Sequence, residues 1–123
     1  MEHEKYRMKV VSIGELAQEF LAEGIMVFFG TNAPEELQEH SIVHEHGELA
    51  ADVVPGDTVV IDGNRFEVLA VGPVANGNLR NLGHLVLKFN GLTEPEMDGD
   101  VTVAETELPS VTIGTQIQIL SYA

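Results

Sequence analysis

The sequence has no cysteine, no tryptophan and only six lysine and arginine residues among its 123. The lack of cysteine excludes disulfides and thiolate chemistry and suits a cytoplasmic location. Twenty acidic residues oppose the six basic ones and give a formal net charge of −14. So few cations cannot neutralise the phosphates of a nucleic acid, and an anionic membrane surface would repel the chain. The composition therefore excludes nucleic-acid partners and favours a basic protein partner.

Long hydrophobic runs are also missing. The longest unbroken apolar stretch is residues 25–29, far short of the roughly 20 residues that span a bilayer. The charged start, residues 1–5, leads into no apolar segment of the kind found in a secretory signal. We predict a cytoplasmic protein without direct membrane insertion, and the length fits a single domain over residues 1–123.

Frequent turn signals separate short apolar runs, which is typical of a compact β-rich domain. Extended segments are predicted at residues 5–13, 25–29, 41–46, 58–61, 65–71, 85–89, 100–104 and 115–120. A helix is predicted over residues 15–23 behind a Ser12–Glu15 capping box, and a shorter one is predicted from an Asn32 cap to Gln38. Residues 74–82 are either a loop or one to two helical turns. The expected fold is mainly β, a small closed or partly open β-barrel of about seven strands with one or two short helices.

Two of the five histidines have ordinary explanations. His3 lies in the charged N-terminal segment, where no chemistry is expected. His40 ends the second predicted helix, where a cation suits the C-terminal dipole. The candidates for chemistry are therefore His44, His46 and His84.

The segment Ser41-Ile-Val-His44-Glu-His46-Gly-Glu48 places two histidines two residues apart. Alternate residues of an extended strand share a face, so His44 and His46 are expected to point the same way. Such a pair is open to three interpretations: a metal site, a nucleophile with a helper, or a solvated polar edge.

A cupin-like metal-binding β-barrel is one alternative function. His44, His46 and Glu48, with His84 from a later strand, offer ligand types that suit zinc, iron or manganese. The short interval between His46 and Glu48 counts against it. A pure binding module, with no covalent step, is a third possibility.

Six short motifs follow one another in order between residues 31 and 91. They are Thr31-Asn-Ala-Pro-Glu-Glu-Leu37, Ile42-Val-His44-Glu-His46-Gly-Glu-Leu49, Val54-Pro-Gly-Asp57, Ala70-Val-Gly-Pro-Val-Ala75, Asn78-Leu-Arg-Asn-Leu-Gly-His84 and Leu87-Lys-Phe-Asn-Gly91. An ordered series is far more specific than any one motif. On these motifs the chain resembles the glucitol/sorbitol-specific IIA component of the bacterial phosphoenolpyruvate-dependent sugar phosphotransferase system (PTS), over roughly residues 6–91.

The resemblance implies a phosphotransferase component with a covalent phosphohistidine intermediate. Members of this family accept a phosphoryl group from the phosphocarrier HPr and pass it to the IIB domain of a IIB/IIC permease, which phosphorylates the incoming polyol. The family's phosphorylated histidine is the first of the His-x-His pair, here His44. His84 matches a second family histidine and is a candidate support, as is His46. No cofactor and no metal are implied.

Access to partners leads to two further expectations. A carrier histidine that meets two proteins should be reachable, so we expect His44 to be exposed on an edge strand, and such an edge would permit a homodimer. Acidic residues also crowd near the proposed site, namely Glu35, Glu36, Glu39, Glu45 and Glu48. They are expected to steer basic HPr toward the site, the alternative being that they only confer solubility.

Overall fold

The computed structural model describes residues 2–45 and 47–122. In chain order the elements are β1 (Glu2–Ile13), α1 (Ala17–Leu21), β2 (Ile25–Gly30), α2 (Glu35–Gln38), β3 (Ile42–His44), β4 (Thr58–Ile61), β5 (Asn64–Val71), α3 (Ala75–Leu82), β6 (Leu85–Lys88), β7 (Asp100–Val103) and β8 (Gln116–Tyr122). The strands close into a barrel in the order β1-β3-β2-β6-β7-β5-β4-β8. The predicted mainly β barrel is confirmed, with eight described strands and a third helix.

Strand β1 shows how alternation in the sequence builds the barrel wall. Tyr6, Met8 and Val10 are each about 1% exposed, whereas Arg7 and Lys9 between them face solvent. A strand of 12 residues is long enough to pair with two neighbours in succession. Its first part lies antiparallel to β8 and its last part lies antiparallel to β3.

The turn between β4 and β5 follows directly from local chemistry. Asp62 and Gly63 have φ angles of 45° and 87°, which is the left-handed pair that a type I′ hairpin turn requires. An Asp-Gly dipeptide between the extended segments 58–61 and 65–71 predicts a hairpin. The structure confirms it, because β4 and β5 pair antiparallel on either side of the turn.

The predicted helix caps are wrong. Ser12 is still paired with Val43 in the β1–β3 ladder, so it cannot cap α1, which begins only at Ala17. Helix α2 has Pro34 at its N-cap, and neither helix has a side-chain cap hydrogen bond. No helix in the described ranges has the length and apolar character needed to cross a membrane.

Strand β3 lies inside the sheet and not at an edge. It runs antiparallel to β1, with His44 opposite Val10, and parallel to β2, with His44 opposite Gly30. Each of the described strands has a neighbour on both sides, so the exposed edge predicted for this segment is wrong. The homodimer stays a prediction, without this edge to support it.

The barrel interior is filled by one cluster of buried apolar residues. It includes Tyr6, Met8, Val10, Met26, Phe28, Ile42, Leu49, Val53, Val59, Ile61, Val68, Ala75, Leu79, Leu85, Leu87, Phe89, Val101, Val103, Ile117 and Ile119. Helix α3 contributes Ala75 and Leu79 to this cluster. The helix thus covers the barrel end at which β3 finishes, and it ends at Gly83, directly beside His44.

Candidate functional site

His44 is the last residue of β3, and its side chain is wholly buried, with a relative exposure of 0%. Its ring lies edge-on to Tyr6, with ring centroids 6.1 Å apart and planes at 90°, and the ring of Phe28 is 6.4 Å away. Tyr6 and Phe28 both belong to the barrel core. The imidazole therefore points into the barrel, and the expectation that it would be exposed is wrong.

Both ring nitrogens of His44 contact backbone carbonyl oxygens. Nδ1 is 2.7 Å from the carbonyl oxygen of Glu45, and Nε2 is 2.7 Å from that of Gly83. A carbonyl oxygen only accepts hydrogen bonds, and a neutral imidazole carries one N–H. A neutral His44 can therefore donate to only one of the two carbonyls. Its other nitrogen holds the lone pair that a nucleophile needs, and the carbonyl oxygen 2.7 Å from that nitrogen must move away before the lone pair can attack.

Of the two contacts, the one to Gly83 depends on the tertiary structure. It links residues 39 positions apart and is buried, whereas the contact to Glu45 joins sequence neighbours and is partly exposed. The sequence allows this approach because Gly83 has no side chain. A Cβ atom there would lie 2.9 Å from Cε1 of His44 and 3.0 Å from the amide nitrogen of Gly30.

Gly83 also ends helix α3. Its φ of 63° is left-handed, and its amide donates to the carbonyl of Leu79 at 3.0 Å. This is the usual conformation of a glycine that stops a helix. The residue that terminates α3 is thus the one whose carbonyl holds the His44 ring.

The chain that follows His44 is fastened to α3, and we call residues 47–57 the covering segment. The side chain of Asn76 accepts from the amide of Val53 at 2.7 Å and donates to its carbonyl at 2.9 Å. At the surface, Arg80 pairs with Asp52 at 2.7 Å. Helix α3, whose C-cap Gly83 contacts the His44 ring, and the covering segment, which follows His44 in sequence, are therefore tied to each other.

Tyr6 is a site residue that the sequence reasoning missed. Its hydroxyl accepts a hydrogen bond from the amide of Gly47 at 3.1 Å, three residues beyond His44. Burial raises the pKa of Tyr6 above its usual value of 10.0, against a smaller lowering by the Gly47 bond, so the hydroxyl keeps its proton. The alternating pattern of β1 indicates that the Tyr6 side chain points inward. Its proximity to His44, however, depends on the pairing of strands that are distant in sequence.

His84 lies close to His44 in the backbone, but its side chain is on the other side of the sheet. Leu85 and Leu87 of the strand that follows are buried, so His84 shares the outer face with Val86 and Lys88. All three line an outer cavity of about 370 Å³. The structure therefore brings Gly83 to His44, and not the His84 ring.

The ring of His84 has its own partners. It stacks on Phe29 with centroids 4.0 Å apart, and Nδ1 lies 3.1 Å from the carbonyl of Phe28. Burial lowers the pKa of His84, and the hydrogen bond to Phe28 offsets part of that effect. His84 is therefore connected to His44 indirectly, through the backbone of Gly83 and through Phe28, whose ring lies 6.4 Å from that of His44.

The remaining sequence candidates are distributed around this site. His46 lies outside the described residues, so its predicted place beside His44 stays a prediction. Glu48 is exposed in the covering segment. His40 is exposed at the end of α2, with Nδ1 3.2 Å from the carbonyl of Glu36, and His3 is exposed within β1.

A metal centre is not favoured by this arrangement. Two of its proposed ligands are separated by the barrel wall, with His44 inside and His84 on the outer face. Across residues 2–45 and 47–122 no three His, Asp or Glu side chains are grouped so that they could hold a metal ion.

Comparison with known proteins decides the family, because residues 5–118 match the PTS system glucitol/sorbitol-specific IIA component. The chain belongs to this family. Two curated relatives, the PTS system glucitol/sorbitol-specific EIIA components of Shigella flexneri and Escherichia coli (strain K12), are each 40% identical over 99 residues, which is 80% of this chain and 80% of each relative.

A solved structure agrees with the fold. The crystal structure of a PTS system IIA component from Enterococcus faecalis V583 is 27% identical and superposes with a TM-score of 0.81, covering 91% of this chain and 97% of that one. The family assignment gives the PTS IIA chain described here a phosphocarrier role in the sugar phosphotransferase system. The matched range includes Tyr6, His44 and Gly83.

Proposed function

We propose that this PTS IIA chain accepts a phosphoryl group from phosphorylated HPr on His44 and passes it to the IIB domain of a glucitol/sorbitol-type permease. The observation that supports His44 most strongly is the 2.7 Å contact between its Nε2 atom and the carbonyl oxygen of Gly83. A phosphoryl acceptor needs an imidazole with a fixed orientation, and this contact provides one inside the barrel wall.

The reaction exchanges one nitrogen–phosphorus bond for another. The lone pair of one His44 nitrogen attacks phosphorus, the bond to the histidine of HPr breaks, and that histidine leaves with the electron pair. The other His44 nitrogen keeps its proton and donates a hydrogen bond to the carbonyl oxygen that it contacts. Such a hydrogen bond stabilises the positive charge that develops on the ring, and phosphoryl transfer needs little beyond positioning and charge stabilisation.

The burial of His44 would protect its phosphoryl group from water, and it also means that the site must open before a partner can reach the ring. A site that excludes water slows the hydrolysis of a reactive phosphoramidate between two transfers. A side chain with 0% exposure, however, cannot meet HPr or the IIB domain as it stands. We therefore infer that α3 or the covering segment moves away from His44 when a partner docks.

The partners and the setting follow from the same proposal. HPr would be the donor, the IIB and IIC components of the permease would act downstream, and the exchange would take place in the cytoplasm. The polyol is bound by the permease, so the chain itself needs no sugar site. His46 and His84 remain candidate supports, and His84 would act indirectly, through Gly83 or Phe28.

A reconstituted relay tests this function. The purified chain is incubated with phosphoenolpyruvate, enzyme I and HPr, and its intact mass is measured under alkaline conditions that preserve phosphohistidine. We expect the mass to increase by one phosphoryl group in the wild type and in His40→Gln, but not in His44→Gln. Undiminished labelling of His44→Gln would overturn the assignment and move it to His46 or His84.

A further inference from the structure

Tyr6 contacts the His44 site at two points. Its ring meets the imidazole edge-on at 6.1 Å between centroids. Its hydroxyl accepts the amide hydrogen of Gly47 at 3.1 Å. One buried side chain on β1 therefore touches both ends of the stretch from His44 to Gly47.

Gly47 is seated closely on this tyrosine. A Cβ atom at Gly47 would lie 3.5 Å from Cζ of Tyr6 and 3.1 Å from the carbonyl oxygen of Arg7. The absence of a side chain lets the backbone of the covering segment lie against β1 at this point. The hydrogen bond from the Gly47 amide to the Tyr6 hydroxyl then fixes the position of Gly47 along β1.

Glu45 lies between these two anchors, and its carbonyl oxygen is the one 2.7 Å from Nδ1 of His44. We propose that Tyr6 is a positioning residue for the phosphoryl-accepting histidine: by holding Gly47, it sets where the Glu45 carbonyl meets Nδ1. The inference rests on the proposed function for its kinetic consequence, but its geometric part concerns the unphosphorylated protein alone.

The tyrosine hydroxyl is suited to this task because it stays neutral. Burial raises its pKa, so it remains a phenol at the pH at which a carrier works. A neutral phenol accepts from the Gly47 amide and brings no second charge next to the imidazole. Phenylalanine would keep the ring contact with His44 and lose only the bond to Gly47, which makes the role separable from packing.

The test compares Tyr6→Phe with Thr102→Val. Thr102 is also fully buried, and its hydroxyl donates to the carbonyl of Leu92 at 2.6 Å. It lies on β7, which is not a neighbour of β3 in the barrel. Each variant loses one buried hydroxyl. The readouts are the ¹⁵N chemical shifts of the His44 ring, which report its tautomer, and the kinetics of phosphoryl transfer from HPr.

We expect Tyr6→Phe to shift the two ring ¹⁵N signals of His44. It should also lower kcat about tenfold and leave the KM for phosphorylated HPr unchanged, because one positioning hydrogen bond is lost. Thr102→Val should change neither. Gly47→Ala, which unseats the same segment without altering the tyrosine, should shift the same ¹⁵N signals and serves as the second variant if Tyr6→Phe does not fold.

Wild-type ¹⁵N shifts in the Tyr6→Phe or Gly47→Ala protein would overturn the proposal. Equal shifts in Thr102→Val would also overturn it, because they would show a general loss of order. If the wild-type chain takes no phosphoryl group, the proposed function fails, while the ¹⁵N spectra still decide whether Tyr6 positions His44.

Discussion

The Nε2 atom of His44 lies 2.7 Å from the carbonyl oxygen of Gly83, the residue that ends helix α3. A helix terminus thereby orients the imidazole of the proposed phosphoryl acceptor. The approach is possible because Gly83 has a left-handed φ of 63° and no Cβ atom. Position 83 should therefore tolerate no other residue without a loss of function.

Gly83→Ala should both destabilise the protein and slow phosphoryl transfer. The new Cβ would meet Cε1 of His44 at 2.9 Å, and a left-handed alanine costs about 1–3 kcal/mol. Gly77→Ala in the same helix is the matched control, because a Cβ there meets nothing within 4 Å. In Gly83→Ala, urea denaturation should show a lower unfolding free energy, and phosphoryl transfer should be slower. In Gly77→Ala, transfer should keep the wild-type rate, and the unfolding free energy should rise by about 0.5–1 kcal/mol. Equal behaviour of the two variants would contradict a positioning role for Gly83.

The local hydrophobic pattern predicts much of this fold, because strands and hairpin turns depend on residues that are close together in the sequence. The strand predicted over residues 5–13 lies within β1, and the Asp62-Gly63 turn is present as predicted. The burial of His44 was not predictable in this way. It depends on Gly83, 39 positions away, and a three-residue strand carries no signal of whether it will lie at an edge or between two neighbours.

Opening of the site should depend on the clamp between Asn76 and Val53. The two hydrogen bonds at 2.7 and 2.9 Å tie α3 to the covering segment. Asn76→Ala removes both and should expose His44 more often. Modification of His44 by diethyl pyrocarbonate, followed by peptide mass mapping, should be slow in the wild type relative to exposed His40 and faster in the variant.

Asn64→Ala is the control for this experiment. Its amide donates to the carbonyl of Ile61 at 3.2 Å in the hairpin turn, away from α3. This variant should modify His44 at the wild-type rate. A wild-type rate in Asn76→Ala as well would show that the clamp does not govern access.

His84 should make the stability of the protein depend on pH. Because burial lowers its pKa in the folded state, the unfolded chain binds a proton more readily once the pH falls below the ordinary value of about 6.5. The unfolding free energy should therefore decrease between about pH 7.5 and about pH 5.5, and His84→Gln should remove part of that slope. Denaturation curves over this range measure it, and an identical slope in the variant would refute the contribution of His84.

The acidic residues beside the site should steer HPr. Glu45 and Glu48 are both exposed next to His44, so replacing them together with lysine should slow association with HPr, most clearly at low salt. The wild-type on-rate should itself fall as ionic strength rises and the Debye length drops below about 10 Å. Stopped-flow mixing at several salt concentrations provides the measurement.

Glu105→Lys with Glu107→Lys is the matched control, since both residues are exposed and the charge change is the same. This pair should leave the on-rate close to that of the wild type. If the two double variants behave alike, the charge of −14 acts on solubility and not on recognition.

The most direct test of His44 as the phosphoryl acceptor is to locate the phosphoryl group in the wild-type chain. After incubation with phosphorylated HPr, ¹⁵N and ³¹P NMR at alkaline pH identify which histidine ring carries phosphorus. We expect a single phosphohistidine at His44, with its ring signals lost from the unphosphorylated set. A phosphoryl group on His46, His84 or any other residue, with His44 unchanged, would contradict it.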